Sequence, residues 1–497
     1  MTSTKPFAAK RRQMAAFSST KEVKSIYSSS KPITKETMHL IDSLKNLTIT
    51  EYLSREVSPS YRLDQDESQF IERRDRVIVF VRIPLKLEKL ILFGFFLAWD
   101  CFLFMLGMLP IRFILAIFSL FLSLFKKASI RPSQKCDLLR AFITAICCYC
   151  LAWIDLSQIY HLVRGQNVLK IWIIYNMLDV FDRLFATLGQ DVMDSLFLTA
   201  TEKSSKGRRR RHFSLFHHVG IASIYVLIHS MIMLLEVTTL NVAFNSHNKA
   251  LLLIMSSNNF AELKGTVFKK FDKNNLFQLS CGDIRERFQL IIILFVVCLR
   301  NLKEFNWDPD HFAELLPDVL LILLSEISVD WVKHCFITKF NELDPLVYED
   351  YRVTMANDLI NSKRHDAYSD HCDEVSRKIA LNPIPILCVL VKISYQLFSW
   401  DHVVMFHFIF IVIAVSIVLK CITGMILLKY SCNILKMRFL TEQRGHSPPL
   451  TLSEETSTSA VVNTPNPSAL NTPLQDSFTA IIPENITCTE LLEKKIQ

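Results

Sequence analysis

The sequence contains no Walker loop, no GxSxG elbow, no HExxH and no dinucleotide fingerprint. The spacings that cradle phosphates, raise a nucleophilic serine or hold a catalytic zinc are therefore absent, and no catalytic residue, cofactor or metal is expected. Its 13 cysteines show no regular spacing. Three of them, Cys147, Cys148 and Cys150, lie in an apolar run, where cysteine behaves as a small hydrophobe. The odd count argues against a disulfide framework. The first residues, MTSTKPFAAKRRQMAAFSST, lack the ~7–15-residue apolar core of a secretory signal, and no repeat with a solenoid period is visible.

Apolar length is what the chain has in abundance. Half of its 497 residues are hydrophobic, 36 of them Phe, and mean hydropathy is +0.26, too apolar for an ordinary soluble protein of this size. A bilayer crossing needs roughly 20 mostly apolar residues. Qualifying runs lie at 90–109, 111–125, 141–154, 219–240, 290–299 with its flanks, 315–332, 384–397 and 402–419. The expectation is an all-α polytopic transmembrane bundle of about six to eight spans, with amphipathic interfacial helices and disordered ends.

Four regions follow from the composition: a polar, Ser-rich tail over 1–36, an amphipathic membrane-proximal stretch over 37–89, a multi-helix membrane domain over 90–430, and a Pro/Ser/Thr-rich tail over 441–497. The formal net charge of +8 is concentrated beside apolar runs, above all in TEKSSKGRRRRH at 201–212. That placement reads as a positive-inside marker, not as a nucleic-acid surface, with binding to anionic headgroups a lesser reading. The chain ends in Lys494-Lys495-Ile496-Gln497, the dilysine address that a coat-type receptor reads to retrieve membrane proteins to the endoplasmic reticulum. Both termini are then cytosolic, the number of crossings is even, and the acceptor sequences at Asn46 and Asn485 should carry no glycan.

One conflict arises. If 219–240 crosses once from a cytosolic 201–212, then 241–287 is luminal, yet it holds Lys249, Lys264, Lys269, Lys270 and Lys273, against the positive-inside rule. A re-entrant 219–240 or a luminal partner-binding loop would reconcile the two.

The most conspicuous chemistry is YNMLDVFDRLFATLGQDVMD at 175–194. At 100° per residue Asp179, Asp182, Arg183, Asp191 and Asp194 share one half of a helix, and Phe181, Leu184, Phe185, Leu188 and Val192 share the other. Asp179 and Arg183 stand at i, i+4, and Gly189 is a candidate bend. The acidic pairs do not fit DxxDGxxAR…GxxxDxxxD, the metal-binding pattern of CDP-alcohol phosphotransferases, so an interfacial helix with its acids in water is expected, ahead of an ion path. Asp100, Glu236, Asp318, Glu326 and Asp330 lie in or beside apolar runs and either pair inside the bundle or line a pathway. The stretch at 271–284 lacks the ligand and glycine of an EF-hand loop, and His365, His371 and Cys372 match no zinc spacing.

Long strings carry a resemblance. FIERRDRVIVFVRIPLKLEKLILFGFF (70–96), YHLVRGQNVLKIWIIYNMLDVFDRLFATLGQDVMDSLFLTATE (160–202), TLNVAFNSHNKALLLIMSSNNFAELKGTVFKKFDKNNLFQLSCGDIRERF (239–288), VDWVKHCFITKFNEL (329–343) and ALNPIPILCVLV (380–391) resemble the transmembrane anterior posterior transformation family, also called the cytomegalovirus gH-receptor family. The resemblance spans roughly 40–430 and implies a multi-pass protein of the endoplasmic reticulum membrane. It further implies roles in ciliogenesis, axial patterning and the handling of folding proteins, and it supplies no catalytic residues. The resulting expectation is a non-enzymatic scaffold or adaptor in the bilayer, acting through folding, trafficking or ciliary factors. The alternative is an ion or solute transporter built on the acids of 175–194.

Overall fold

The computed structural model describes residues 38, 41, 44, 45, 47–57, 67–126, 131–201, 208–246, 262–363, 371–397 and 402–445. Lys494 and Lys495, both glycan acceptor asparagines and His365 lie outside them. Among the described residues the structure is helical and contains no strand. The chain divides into two units, Met1–Arg74 and Asp75–Gln497. In the first, helix α1 (Ile49–Val57) is started by Thr48, whose Oγ1 and backbone N–H both donate to the Glu51 carboxylate, at 2.9 and 3.1 Å.

The remaining helices are α2 (Glu67–Leu103), which a π-helical turn at Phe104–Met108 joins to α3 (Leu109–Lys126), then α4 (Pro132–Ala152), α5 (Leu156–Arg164), α6 (Val168–Thr201), α7 (Arg208–Phe244), α8 (Lys273–Glu304), α9 (Pro309–Phe340), α10 (Val347–Ser362), α11 (His371–Ile379), α12 (Pro383–Leu397) and α13 (His402–Gly445). Helix α7 is central and packs against α4, α5, α6, α8 and α12. Its inward residues Ala222, Val226, Leu234 and Ala243 are wholly enclosed. Asp272 caps α8 by accepting the Asn275 backbone N–H at 2.7 Å, a local duty that accounts for an aspartate at the head of the EF-hand-like string.

Among the described residues, three stretches are long and apolar enough by length and composition to cross a membrane: Val77–Leu122, Phe213–Phe244 and His407–Gln443. The bent pair Pro132–Ala152 and Leu156–Arg164, at 61°, makes a fourth if it counts as one span. Hydropathy along the sequence suggested six to eight. The difference lies in 90–109 and 111–125, which belong to one stretch, in α8 and α9, which carry many ionisable residues, and in α12, which has 15 residues.

Those charges are disposed in an unexpected way. On α6 the outward residues are Met177, Val180, Phe181, Leu184 and Leu188, each at least 42% exposed, whereas Asp182 is 5% exposed. On α9 the outward residues are Leu316, Leu320, Leu321 and Leu324, while Asp330, Lys333 and His334 are enclosed. Both helices are therefore inside-out relative to a soluble amphipathic helix. This corrects the reading of 175–194 as an interfacial helix with wet acids. The wheel identified two faces, but periodicity cannot say which one meets the protein, and in lipid the apolar face turns outward.

The course of the chain after α7 removes the conflict over 241–287. Helices α7 and α8 run in the same direction, since Asn301 Nδ2 donates to Asn241 Oδ1 at 3.1 Å and Asn245 Nδ2 to Glu304 Oε2 at 3.3 Å. The start of α8 lies at the opposite end, where the Phe271 backbone N–H donates to Asn341 Oδ1 at 2.8 Å. Residues 247–261, Lys249 among them, lie outside the described residues; where the chain resumes, Lys264, Lys269, Lys270 and Lys273 stand toward the end of the bundle at which α7 begins. Neither a re-entrant 219–240 nor a luminal loop is needed, because 219–240 lies inside the unbroken α7. A position for these lysines at the end where α7 begins accords with the positive-inside rule.

A buried ionic core as the candidate functional site

Four helices and the short helical stretch 262–266 bring ionisable side chains together. From α6, Arg183 donates through Nε to Asp179 Oδ1 at 3.3 Å and through Nη2 to Glu262 Oε2 at 3.0 Å; the same Nη2 lies 3.4 Å from Glu286 Oε2. From α9, Lys333, 1% exposed, places Nζ 2.6 Å from Asp283 Oδ1, 2.9 Å from Asp330 Oδ1 and 3.3 Å from Glu262 Oε1. Arg287 of α8 then links Asp330 Oδ2 and Glu88 Oε1, both at 2.8 Å, and the Trp331 indole N–H also donates to Glu88, at 2.7 Å. One continuous chain of pairs thus runs Asp179–Arg183–Glu262–Lys333–Asp330–Arg287–Glu88. Burial alone would push the Glu262 carboxyl up, but the Lys333 ammonium and the Arg183 guanidinium outweigh it and hold the group below its ordinary value of 4.5.

Two further arrays have the same composition. His229 Nε2 lies 2.9 Å from Asp182 Oδ1, and its Nδ1 lies 2.9 Å from the Tyr225 hydroxyl, one turn earlier on α7. His334 Nε2 lies 2.6 Å from Asp283 Oδ2, and its Nδ1 lies 2.8 Å from the Tyr348 hydroxyl. Burial pushes the Tyr348 hydroxyl well above its ordinary value of 10. It therefore keeps its proton, and with a neutral imidazole that proton goes to Nδ1 and Nε2–H goes to Asp283. Tyr225 has a second acceptor, the Phe185 carbonyl at 3.1 Å. Its proton can serve either partner, so both a neutral and a charged His229 are fully hydrogen-bonded.

Helix α6 runs unbroken through Gly189. An added Cβ there would collide with the Tyr225 hydroxyl, so the missing side chain is what admits the tyrosine. Asp194 binds Arg377 of α11 in a two-pronged pair at 2.9 and 3.0 Å, and Asp191 is exposed. The five acidic and basic residues singled out in 175–194 therefore separate: Asp179 and Arg183 join the ionic chain, Asp182 a histidine array, Asp194 a surface pair, and Asp191 faces outward. Among the apolar-run acids, Asp100 is enclosed and ion-paired with Lys420 of α13, and Thr423 Oγ1 donates to it at 3.3 Å. Glu236 is enclosed with its Oε2 unpartnered. His371 and Cys372 stand at the start of α11.

Sequence reasoning passed over Lys333, His334, Arg287, Glu262, Tyr225 and His229. A signal existed in the Tyr225/His229 spacing of four and in Asp330, Lys333 and His334 following an apolar run, all of which set polar atoms on one helix face. Among the described residues, Glu262, Asp283 and Glu286 bring carboxylate oxygens within 4.8 Å of one another, close enough for a cation. Lys333 and Arg183 already occupy them.

Apolar faces turned outward and opposite charges paired within define an all-α membrane protein with an internally neutralising core. Comparison with known sequences makes the class specific. The chain is 44% identical to mouse transmembrane anterior posterior transformation protein 1 over 413 residues, covering 81% of this chain and 72% of the mouse protein. The human homolog gives 44% over 412 residues, 81% and 71%, and the Drosophila melanogaster Protein TAPT1 homolog 39% over 410 residues, 81% and 60%. The model of the eukaryotic membrane protein family DUF747 matches residues 130–436, and the chain belongs to that family. No solved structure matches it.

Proposed function

We propose that the protein is a non-catalytic scaffold of the endoplasmic reticulum membrane that acts through protein partners. One observation carries this reading: the ionisable groups of 175–194 that face the bundle are held by Glu262, Glu286, His229 and Arg377, an arrangement that fixes helices to one another. The name of the mouse and human relatives points to transformation along the anterior–posterior axis, which supports a part in developmental patterning; the family resemblance adds ciliogenesis. The dilysine end, Lys494 and Lys495, supports retrieval by a coat-type receptor and cytosolic termini.

Transport is the second reading, favoured by the unpartnered Oε2 of Glu236 and by the two alternative proton positions at Tyr225 and His229. One experiment separates the two. Asp179, Asp182, Asp191 and Asp194 are replaced by Asn, then ion and solute flux is measured in reconstituted vesicles beside partner co-purification from cells. Scaffold function predicts flux no different from empty vesicles for either form and fewer co-purified partners for the variant. Flux through the native protein that the Asn variant loses would replace the scaffold reading with the transporter.

A further inference from the structure

The C-terminal ends of α4, α8 and α12 meet at the end of the bundle away from Arg208–Arg211. Lys392 Nζ donates to the Ala152 carbonyl at 3.1 Å, and Lys303 Nζ to the Gln396 carbonyl at 2.8 Å. Between them lies a cavity of about 250 Å³, lined by Leu156, Ile393 and Leu397 on one side and by Arg300, Lys303 and Glu304 on another. Water occupies ~30 Å³ per molecule, so the space suits about eight waters, or one phosphate with the carbons esterified to it. It is smaller than the ~300–1,000 Å³ that takes a whole drug-sized ligand.

Three features say what fits. Arg300 Nη1 is buried with no hydrogen-bond partner, and a guanidinium is suited to bind phosphate through paired N–H groups. Lys303 adds a second cation, and the Glu304 carboxylate, which accepts from Asn245 Nδ2 at 3.3 Å, also acts on the Arg300 charge, so the lining keeps a net positive charge. Exposed aromatics surround this end: Tyr149 and Trp153 in an edge-on pair at 6.3 Å, and Tyr395 on α12, each at least 62% exposed. Amphipathic rings of this kind mark the headgroup level of a bilayer. The phosphate of a lipid lies at this level, and the buried Leu156, Ile393 and Leu397 give the cavity an apolar side.

We propose that this cavity is a site for the phosphate of an anionic phospholipid, with Arg300 as its principal ligand and Lys303 as the second. Only binding is claimed; no bond of the lipid changes.

The test uses the full-length protein purified in mild detergent and native mass spectrometry with phosphatidylinositol or phosphatidylcholine added. Three variants accompany it: Arg300→Gln, Lys303→Gln, and Gln396→Trp, which fills the cavity mouth from an exposed position and leaves the charges intact. The expected result is preferential retention of phosphatidylinositol by the native protein, weakened at least tenfold in Arg300→Gln and in Gln396→Trp. Unchanged retention in Gln396→Trp would overturn the proposal even if Arg300→Gln fails to fold. Equal retention of the two lipids by the native protein would overturn it as well. Inorganic phosphate serves as the competitor: displacement of the lipid only at far higher concentrations supports a lipid site, whereas tight phosphate binding without lipid retention assigns the cavity to a soluble anion and refutes it.

Discussion

Replacing Lys333 by Met tests whether the ionic core holds the bundle together. The Lys333 ammonium lies 2.6, 2.9 and 3.3 Å from oxygens of Asp283, Asp330 and Glu262. At an effective dielectric constant near 20, each contact is worth about 5–6 kcal/mol of Coulomb attraction, against several kcal/mol for stripping water from each ion. The cost of the substitution is set by what remains: three carboxylates that have lost a shared cation. Each keeps one other partner, namely His334 for Asp283, Arg287 for Asp330 and Arg183 for Glu262. The loss should therefore fall toward the lower end of the ~3–5 kcal/mol typical of a broken buried pair. At ~1–2 °C per kcal/mol for a chain of this size, the melting temperature in detergent should fall by about 3–6 °C. Methionine matches the lysine stem in length, so packing is nearly conserved and charge is what the experiment removes. Asp330→Asn in the Lys333→Met background should cost less than it does alone, with a coupling above ~1 kcal/mol. A fall below about 2 °C, or strictly additive losses, would refute the view that these contacts stabilise the fold.

Two further perturbations probe separate parts of the core. Gly189→Ala should destabilise by about 1–3 kcal/mol, because the new methyl displaces Tyr225 from His229 and overpacks the α6–α7 contact; this exceeds the ~1 kcal/mol that alanine gains in a helix. Gly220→Ala on α7, where a Cβ meets nothing within 4 Å, is the control and should be neutral or stabilising, as thermal melts of the two variants will show. For acid stability, Glu262 is held below 4.5 by Lys333 and Arg183. A carboxyl with a depressed folded-state value contributes stability that is fully present above 4.5 and is lost as pH falls through the folded value. Glu262→Gln should therefore reduce the melting temperature at pH 7 and flatten its decline below about pH 4.5, whereas parallel curves for the two proteins would show that Glu262 makes no contribution to acid sensitivity.

How much of this was legible in the sequence differs between fold and site, for physical reasons. Helical class and membrane character follow from run length, since lipid leaves a spanning segment few alternatives to a helix. The i, i+4 relation of Asp179 and Arg183 was legible because both lie on one helix. The orientation of α6 was not, since a wheel of acids and phenylalanines is equally a surface helix in water and a bundle helix in lipid. What decides between them is whether the polar face finds partners, and those partners, Glu262, His229 and Arg377, lie 47 to 183 residues away.

The same reasoning explains why charge density misleads in this chain. Asp283, Arg285, Glu286 and Arg287 look like a break in the apolar run of α8, as Asp330, Lys333 and His334 look like the end of that in α9. Composition therefore counts against both helices as spans. Yet each residue of either group that the bundle encloses meets an opposite charge or a hydrogen-bond partner contributed by a neighbouring helix or by its own. A helix can place several ionisable groups at membrane depth when the partners are supplied by the bundle, because the penalty belongs to unpaired charge and not to charge as such. The inward groups of α6, α8 and α9 are therefore not independent of one another. Each is tolerated only because the others are present, which is why loss of Lys333 alone should cost more than loss of Lys333 after Asp330 has gone.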